Sequence, residues 1–149
     1  MSYRPAELQG GEVPSHRTVA GVLIADRKVL LEQRDSDAAV YPDCWDIPGG
    51  HIEGQELPEE ALRREMREEL GVEVRALSLC AVQDDRERKS GRLYRHFSFL
   101  VRGYDGEVSP EEGQTLRWWP LEEASRSESL NPLARWVICL IVEQSWHLD

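Results

Sequence analysis

Short apolar runs separated by polar turns dominate the chain, and this pattern is typical of β-strands. Residues 18–25 and 29–33 are two such runs with a short charged turn between them, so they predict a β-hairpin. Residues 35–42 predict a loop, and the charged run 84–92 predicts an exposed turn. Further strands are predicted at residues 45–48, 72–82, 93–102 and 115–119. The core of the fold is therefore expected to contain a β-sheet.

Two segments carry the signals of helices instead. Residues 58–70 begin with Pro58, which suits the first turn of a helix, continue with acids that favour the positive end of its dipole, and stop at Gly71. Residues 132–146 follow Asn131, a good N-cap, and predict a closing helix. The expected fold class is therefore α/β, with a mixed central sheet between helices.

The first of these helices carries an acidic stripe. At about 100° per residue, its large apolar side chains form one arc. Three glutamates at spacings of three and four lie beside that arc: Glu65, Glu68 and Glu69. Crowded carboxylates repel one another, and a hard divalent cation such as Mg²⁺ or Mn²⁺ would stabilise them. The alternative is an exposed face held by ion pairs one turn apart, such as Arg64–Glu68.

Size and composition indicate a single globular domain. The chain has 149 residues, 40% of them hydrophobic and 31% charged, which is enough to bury a core without cross-links. Residues 1–15 contain prolines and glycines and are expected to form a loose arm before one domain at residues 16–149. The three cysteines, Cys44, Cys80 and Cys139, are far apart, so neither a disulfide framework nor a zinc site is indicated.

The net charge of −10 restricts the possible partners. An acidic surface repels a polyphosphate backbone, so no nucleic acid polymer is expected to bind, and a small anionic substrate would need a cation between it and the protein. The apolar stretch at residues 136–142 is too short to span a bilayer, and the first residues lack a signal-peptide pattern. No membrane partner and a cytoplasmic location are therefore expected.

Residues 50–72 resemble the Nudix box, GX5EX7REUXEEXGU, in which U is a bulky aliphatic residue. Such a match, with its many positions at fixed spacing, is far more specific than a lone GxGxxG. The nine constrained positions are Gly50, Glu56, Arg64, Glu65, Met66, Glu68, Glu69, Gly71 and Val72. Together with the hairpin before the box, the strands after it and the closing helix, the resemblance implies the Nudix α/β/α sandwich.

The resemblance also implies roles for the box residues. The three glutamates of the stripe are implied as ligands of Mg²⁺ or Mn²⁺, together with the backbone carbonyl of Gly49. Arg64 and Glu56 are implied as the pair that orients the loop and the glutamates. The implied reaction is metal-dependent hydrolysis of a nucleoside diphosphate-linked substrate, in which water attacks a phosphorus atom. The base that activates the water is either a box glutamate or Glu112.

Three features resemble the MutT branch of the family. Arg34 lies where that branch has an arginine that contacts phosphate, residues 112–114 repeat its later glutamate motif, and Asn131 resembles its purine-reading asparagine. The substrate expected from them is an oxidised purine nucleoside triphosphate such as 8-oxo-dGTP, cleaved to monophosphate and pyrophosphate. The alternatives are a surface arginine at Arg34, an exposed loop acid at Glu112 and a plain N-cap at Asn131.

Two other functions compete with this one. The first is the same chemistry on a nucleotide sugar or another nucleoside diphosphate derivative. The second is a Nudix-fold binding module that senses a nucleotide, but such modules commonly lose box glutamates or carry a DNA-binding domain, and neither is found here. The sequence leaves open whether the protein is a monomer or a homodimer.

Overall fold

A computed structural model describes residues 2–35, 37 and 43–144. No helix in these residues is long and apolar enough to cross a membrane. Their helices and strands, in chain order, are β1 (His16–Ala25), β2 (Lys28–Gln33), β3 (Trp45–Asp46), β4 (Gly49–His51), α1 (Pro58–Leu70), β5 (Glu73–Arg86), β6 (Leu93–Asp105), β7 (Leu116–Pro120), α2 (Leu121–Arg126) and α3 (Pro132–Glu143).

The strands form one mixed sheet with the order β3-β2-β1-β6-β5. β1 and β6 run parallel, whereas every other neighbouring pair is antiparallel. β7 pairs with β2, and β4 pairs with residues 18–20 of β1. β6 pairs with one edge of β1, so β2 and β4 both pair with its other edge. On that edge β2 pairs with residues 24–25. The two strands therefore diverge along that edge, and the candidate site lies where they separate.

The predicted hairpin is confirmed, and its turn follows from two residues. Asp26 and Arg27 have φ values of 50° and 58°, and Ile24 pairs with Val29 on either side of them. Two consecutive left-handed residues give the turn whose twist matches that of the flanking strands. β1 and β2 are thereby aligned so that their apolar faces coincide.

Alternation along the strands divides the core into two halves, one on each side of the sheet. The residues packed with α1 on one face are Val19, Leu23, Leu30, Ala61, Leu62, Met66, Leu70, Val72, Val74, Phe99 and Val101. The other face packs against α2 and α3 through Val22, Val29, Leu31, Ile47, Ala81, Leu100, Trp119, Leu121, Ala124, Leu130, Ala134, Val137, Ile138 and Ile141. The result is three layers, helix, sheet and helix, which confirms the α/β class and the mixed sheet.

Several elements differ from the sequence-based expectations. β1 begins earlier, at His16, β6 extends to Asp105, and β3 ends at Asp46. β5 continues to Arg86, so part of the predicted turn is strand, because Asp84 forms a 2.7 Å ion pair with Arg95 across the β5–β6 ladder. The short helix α2 is absent from the predictions because six residues carry too little periodicity. α3 is described as far as Glu143. Residues 36 and 38–42 of the predicted loop and residues 145–146 of the predicted closing helix lie outside the described residues.

β4 passes β1 so closely that Gly49 has no room for a side chain. A Cβ at this position would lie 1.9 Å from the carbonyl oxygen of Val19. We expect Gly49→Ala to lower the free energy of unfolding by about 1–3 kcal/mol, the range found for overpacked positions, and urea denaturation measures it. Gly10→Ala is the control, because nothing lies within 4 Å of a Cβ there. Equal denaturation midpoints for the two variants would contradict the close approach.

Candidate active site

Helix α1 is fixed at both ends. At its start the Leu57 N–H donates to the Glu60 carboxylate at 2.9 Å. At its end Gly71 adopts a left-handed conformation with φ 70°, and its N–H donates to the Arg67 carbonyl at 3.0 Å. Such a C-cap is favourable for glycine because it has no Cβ. The structure confirms the predicted bounds, Pro58–Leu70, and the register of the side chains along the helix.

The acidic stripe of α1 runs from the core towards solvent. Glu69 is 7% exposed as a residue, whereas the side chains of Glu65 and Glu68 are 13% and 53% exposed. The alternative interpretation, a fully solvated acidic face, therefore fits Glu68 alone. Two of the three carboxylates are withdrawn from water, which makes their charges costly unless a partner compensates them.

Arg64 holds several acidic groups through one planar side chain. Its Nε and Nη2 donate to the two carboxylate oxygens of Glu56 at 2.8 and 2.9 Å. Nη2 also donates to the His51 carbonyl at 2.9 Å, and Nη1 donates to Glu65 at 2.9 Å and to Glu68 at 3.2 Å. The hydrogen bonds from Arg64 lower the pKa of Glu56 to about 2. A guanidinium can make all these bonds because its five N–H groups are arranged as a rigid fork.

The glycine before the box leaves room for a carboxylate. A Cβ on Gly50 would lie 2.4 Å from the carboxyl carbon of Glu65, so any side chain at Gly50 would displace that group. β4 is held against β1 at this point, with Gly50 opposite Val19. The Glu65 carboxylate can therefore pack directly against the backbone of β4, as the box glycine predicts.

Burial and mutual repulsion shift the pKa values of the acids around Glu69. Desolvation, followed by repulsion from Glu32, Glu65, Glu112 and Glu68, raises the pKa of Glu69 to about 9. We refer to these five residues as the acidic cluster. Oε2 of Glu69 is buried and has no hydrogen-bond partner in the described part of the chain. A buried carboxylate oxygen without a partner is unfavourable by itself, so this atom favours a cationic ligand.

Glu32 belongs to the cluster although the sequence analysis does not identify it. Desolvation and the neighbouring charge of Asp46 raise its pKa to about 7, while a hydrogen bond from the Gly49 N–H lowers it. Its only signal in the sequence is an acid two positions after Leu30 in an otherwise apolar strand. That signal is weak, because a strand end at the surface has the same pattern.

The loop at residues 106–115 docks on the C-terminal end of α1. The Ser109 N–H donates to the Leu70 carbonyl at 3.0 Å, and the Gln114 side-chain amide donates to the Glu69 carbonyl at 2.9 Å. The Glu112 N–H donates in turn to the side-chain oxygen of Gln114 at 3.0 Å. These bonds satisfy carbonyls that a helix end leaves without partners. They also bring Glu112 close enough to raise the pKa of Glu69.

The donor set fits a hard divalent cation. Carboxylate and carbonyl oxygens are the ligands that Mg²⁺ and Mn²⁺ prefer, and Oε2 of Glu69, which has no hydrogen-bond partner among the described residues, is one such oxygen. Across the described residues, no three acidic, imidazole or thiol groups are already gathered at coordinating distance. Instead the Arg64 Nη1 donates to the carboxylates of both Glu65 and Glu68.

Asp46 contacts both of the residues that the sequence predicts to bind substrate, Asn131 and Arg34. Asn131 caps α3 by accepting a 2.9 Å hydrogen bond from the Leu133 N–H, and its amide Nδ2 donates to Asp46 at 3.2 Å. Arg34 lies 3.6 Å from the same carboxylate. The N-cap interpretation of Asn131 is therefore correct in the structure, and its amide group is oriented into the cleft wall by Asp46. The sequence analysis does not identify Asp46.

A cleft of about 890 Å³ is lined by Glu32, a member of the acidic cluster, and by residues of the sheet, of α3 and of the segment 2–4. At one end it is lined by Glu32 of β2 and by Gly49 and Gly50 of β4. Its floor and walls are side chains of β1, β5, β6, the start of α3 and the first residues of the chain. Among the β5 residues that line it, Gln83 is buried. A cleft of this size holds a small organic ligand.

Comparisons with known proteins agree with this geometry. The family model described as NUDIX domain matches residues 14–139. A CTP pyrophosphohydrolase of Escherichia coli (strain K12) is 36% identical over 108 residues, which cover 71% of this chain and 76% of that protein. The nucleoside triphosphatase NudI of Enterobacter sp. (strain 638) is 48% identical over 115 residues, covering 70% of this chain and 77% of that protein. The crystal structure of a MutT NUDIX hydrolase from Burkholderia pseudomallei has a TM-score of 0.76 and 25% identity, covering 87% of this chain and 99% of that one.

The raised pKa of Glu69 predicts how stability depends on pH without a divalent cation. Between the ordinary value of 4.5 and about 9, the folded chain keeps a proton that the unfolded chain has lost. The free energy of unfolding should therefore fall as pH rises through this window, by at most about 1.4 kcal/mol per pH unit for each proton. Urea denaturation in EDTA measures the slope.

The variant Glu69→Gln should flatten that pH dependence, since the amide does not titrate. Glu73→Gln, which removes an exposed glutamate from the Arg67–Glu73 pair, should keep the wild-type slope. If wild type and Glu69→Gln have parallel profiles, the Glu69 carboxyl is already ionised in the folded protein and the predicted slope is wrong.

Proposed function

Because this chain belongs to the Nudix hydrolase family and is MutT-like, we propose that it hydrolyses nucleoside triphosphates to the monophosphate and pyrophosphate with a divalent cation. The family membership confirms the resemblance found in residues 50–72 and the identification of the chain as an enzyme. The observation that carries the proposed reaction is the acidic cluster beside the cleft. Its buried Glu69 oxygen has no hydrogen-bond partner within residues 2–35, 37 and 43–144 and lies next to a loop that carries a further carboxylate.

We assign the cation, Mg²⁺ or Mn²⁺, to the three box glutamates and the carbonyl of Gly49. When bound, it supplies positive charge that stabilises the negative charge developing on the phosphate oxygens. Arg64 holds the surroundings of these ligands in place, because it hydrogen-bonds both Glu56 and the carbonyl of His51 in β4. Arg64 and Glu56 are therefore positioning residues, which keep the carboxylates aligned with little reorganisation during the reaction.

We assign the role of general base to Glu112. The box glutamates are engaged as ligands, whereas Glu112 sits on a loop that is hydrogen-bonded to α1 and borders the cluster. In the proposed reaction, water attacks a phosphorus atom of the diphosphate linkage and its proton passes to the Glu112 carboxylate. A new P–O bond forms to the water oxygen, and the bridging P–O bond breaks with pyrophosphate leaving.

The choice of nucleoside triphosphates rests on the named relatives and on the shape of the cleft. The two curated relatives are named for CTP and for nucleoside triphosphates. The cleft leads from the acidic cluster past Asp46, Asn131 and Arg34, so the phosphates and the nucleoside can occupy different parts of it. Arg34 is the residue we assign to a phosphate, and the Asn131 amide the one we assign to the base. Within this class, an oxidised purine such as 8-oxo-dGTP is the specific substrate we propose.

The metal assignment predicts the effect of removing one ligand. Glu68→Gln is expected to reduce kcat by about a hundredfold, which corresponds to about 2.7 kcal/mol of transition-state stabilisation, while the fold survives because Glu68 is half exposed. Steady-state kinetics across a range of Mg²⁺ concentrations, with circular dichroism for folding, measure this. Glu73→Gln, outside the site, should retain wild-type turnover. Turnover of Glu68→Gln equal to wild type at low Mg²⁺ would exclude Glu68 as a ligand.

The geometry of Arg64 predicts that its charge alone is insufficient. Arg64→Lys keeps the positive charge but cannot make the two bonds to Glu56 together with those to Glu65 and His51, so kcat should fall at least about tenfold. Arg67→Lys is the matched control, because Arg67 pairs with exposed Glu73. A lysine variant with wild-type kcat would mean that the planar fork is unimportant.

The substrate is tested by a screen of the common nucleoside triphosphates, CTP among them, and 8-oxo-dGTP with Mg²⁺, reading released pyrophosphate. We expect hydrolysis of triphosphates, and a kcat/KM for 8-oxo-dGTP more than about tenfold above that for dGTP, a difference that polar contacts to a base can supply. Equal values would exclude the oxidised purine as the preferred substrate. Release of inorganic phosphate alone, or no hydrolysis of any triphosphate, would exclude the proposed reaction.

Asn131 then tests how the base is read. Asn131→Ser keeps a capping oxygen for the Leu133 N–H and removes the amide that donates to Asp46, so it should erase most of the preference for 8-oxo-dGTP over dGTP. Asn131→Asp is a poorer variant for this test, because it would place a second carboxylate beside Asp46. If Asn131→Ser keeps the full preference, the base is read elsewhere.

A further inference from the structure

The first residues of the chain form one wall of the cleft. Ser2, Tyr3 and Arg4 line it together with side chains of the sheet and of α3. The Tyr3 hydroxyl donates to the Asp84 carbonyl at 3.0 Å, and its ring packs edge-on against Trp136, with 5.6 Å between the ring centroids. The arm, residues 2–15, therefore crosses the end of β5 and reaches α3, so it is not the loose segment that its composition suggests.

An ion pair clasps the arm in this position. The two terminal nitrogens of Arg86 donate to the two carboxylate oxygens of Glu12 at 3.0 and 2.7 Å, and Nη2 also donates to the Glu7 carbonyl at 3.0 Å. The Ala6 N–H adds a 3.0 Å bond to the Asp84 carbonyl. Two-point bonding between a guanidinium and a carboxylate fixes orientation as well as distance. The wall at residues 2–4 is therefore held in place, because the arm residues that follow it are bonded to β5.

The arm lies at the end of the cleft that is remote from the acidic cluster. Across the sheet, Gly50 pairs with Val19, Val19 with Phe97, and Phe97 with Val82. Three strand spacings separate β4 from β5 at this level, which is about 14 Å. A substrate whose phosphates are held at the acidic cluster therefore reaches the arm with its opposite end, the nucleoside.

The floor beneath the arm carries uncharged polar groups. Gln83 is 2% exposed and donates to the Leu133 carbonyl at 3.2 Å, and it lines the cleft beside His96. Burial lowers the pKa of His96 to about 4, so its imidazole is neutral at physiological pH. Neutral donors and acceptors below and an aromatic ring above are suited to a heterocyclic base. The charged residues Asp85, Arg86, Glu87, Arg88 and Lys89 line the cleft as well.

We propose, resting on the function proposed above, that the arm is a specificity-determining wall in which Tyr3 contacts the base of the bound nucleotide. Arg4 adds a hydrogen-bond donor beside the ring. Glu12 is a positioning residue, since it acts through Arg86 on the arm and does not itself line the cleft. The arm therefore contributes to binding of the nucleoside and leaves the chemistry at the acidic cluster unchanged.

Three variants test this wall: Tyr3→Ala, Tyr3→Phe and Glu12→Gln. For the triphosphate hydrolysed best in the screen, we expect Tyr3→Ala and Glu12→Gln to raise KM about fivefold or more, as the loss of an aromatic contact predicts, with kcat unchanged. Tyr3→Phe keeps the ring and should retain the wild-type KM. Inorganic tripolyphosphate, which has no nucleoside, should inhibit wild type and all three variants with the same inhibition constant.

Leu8→Ala and Glu73→Gln are the matched controls. The first truncates an arm side chain that is 45% exposed and does not line the cleft, and the second breaks a 2.7 Å ion pair elsewhere. If Tyr3→Ala and Glu12→Gln bind the nucleotide as wild type does, or if they reduce kcat and tripolyphosphate binding equally, the wall has no role in recognition. A wild-type protein that hydrolyses no triphosphate would overturn the proposed function first, and this proposal with it. If wild type hydrolyses triphosphates and the variants bind the nucleotide as wild type does, this proposal alone is overturned.

Discussion

Burial of Glu69, followed by its repulsion from the other carboxylates of the acidic cluster, is the constraint on which the site depends. Glu69 is buried among like charges, and its raised pKa measures how unfavourable its ionised form is in the protein alone. Arg64 offsets part of this charge, but it lies on the side of Glu56, and Oε2 of Glu69 has no hydrogen-bond partner in the part of the chain that the structure describes. A divalent cation relieves the remaining repulsion, so the same feature that destabilises the protein alone makes the site receptive to metal.

The surrounding fold holds this unfavourable arrangement in place through backbone contacts. The apolar arc of α1 is fully buried against the sheet, so the helix cannot rotate to move its acids into solvent. β4 approaches β1 closely enough that Gly49 admits no side chain, and the Glu65 carboxylate fills the space at Gly50. The loop that carries Glu112 is bonded to the last carbonyls of α1. Since these restraints come from main-chain geometry, the acidic groups are oriented before any ligand binds.

In the proposed function, the chemistry and the recognition of the nucleoside lie in different parts of the structure. The acidic cluster lies where β2 and β4 diverge along β1, and the arm lies beyond β6 on the last strand of the sheet. The cluster is assembled from residues that the family resemblance identifies, together with Glu32. The far end of the cleft is built from the arm, β5 and α3, whose sequences carry no comparable motif. One fold with one kind of chemistry can therefore present different substrate-binding surfaces, because function depends on the residues placed upon a fold.

The sequence by itself determined the features that depend on local spacing. The hairpin, the bounds of α1, its buried arc and the partial burial of the glutamate stripe all follow from periodicity over a few residues, and the nine box positions identified the family. Tertiary structure alone decided which distant groups meet. Glu32 joins Glu69 across the sheet edge, Asp46 receives the amide of Asn131 from 85 residues away, and the arm folds back onto β5. Such contacts depend on the packing of whole elements, which no short stretch of sequence encodes.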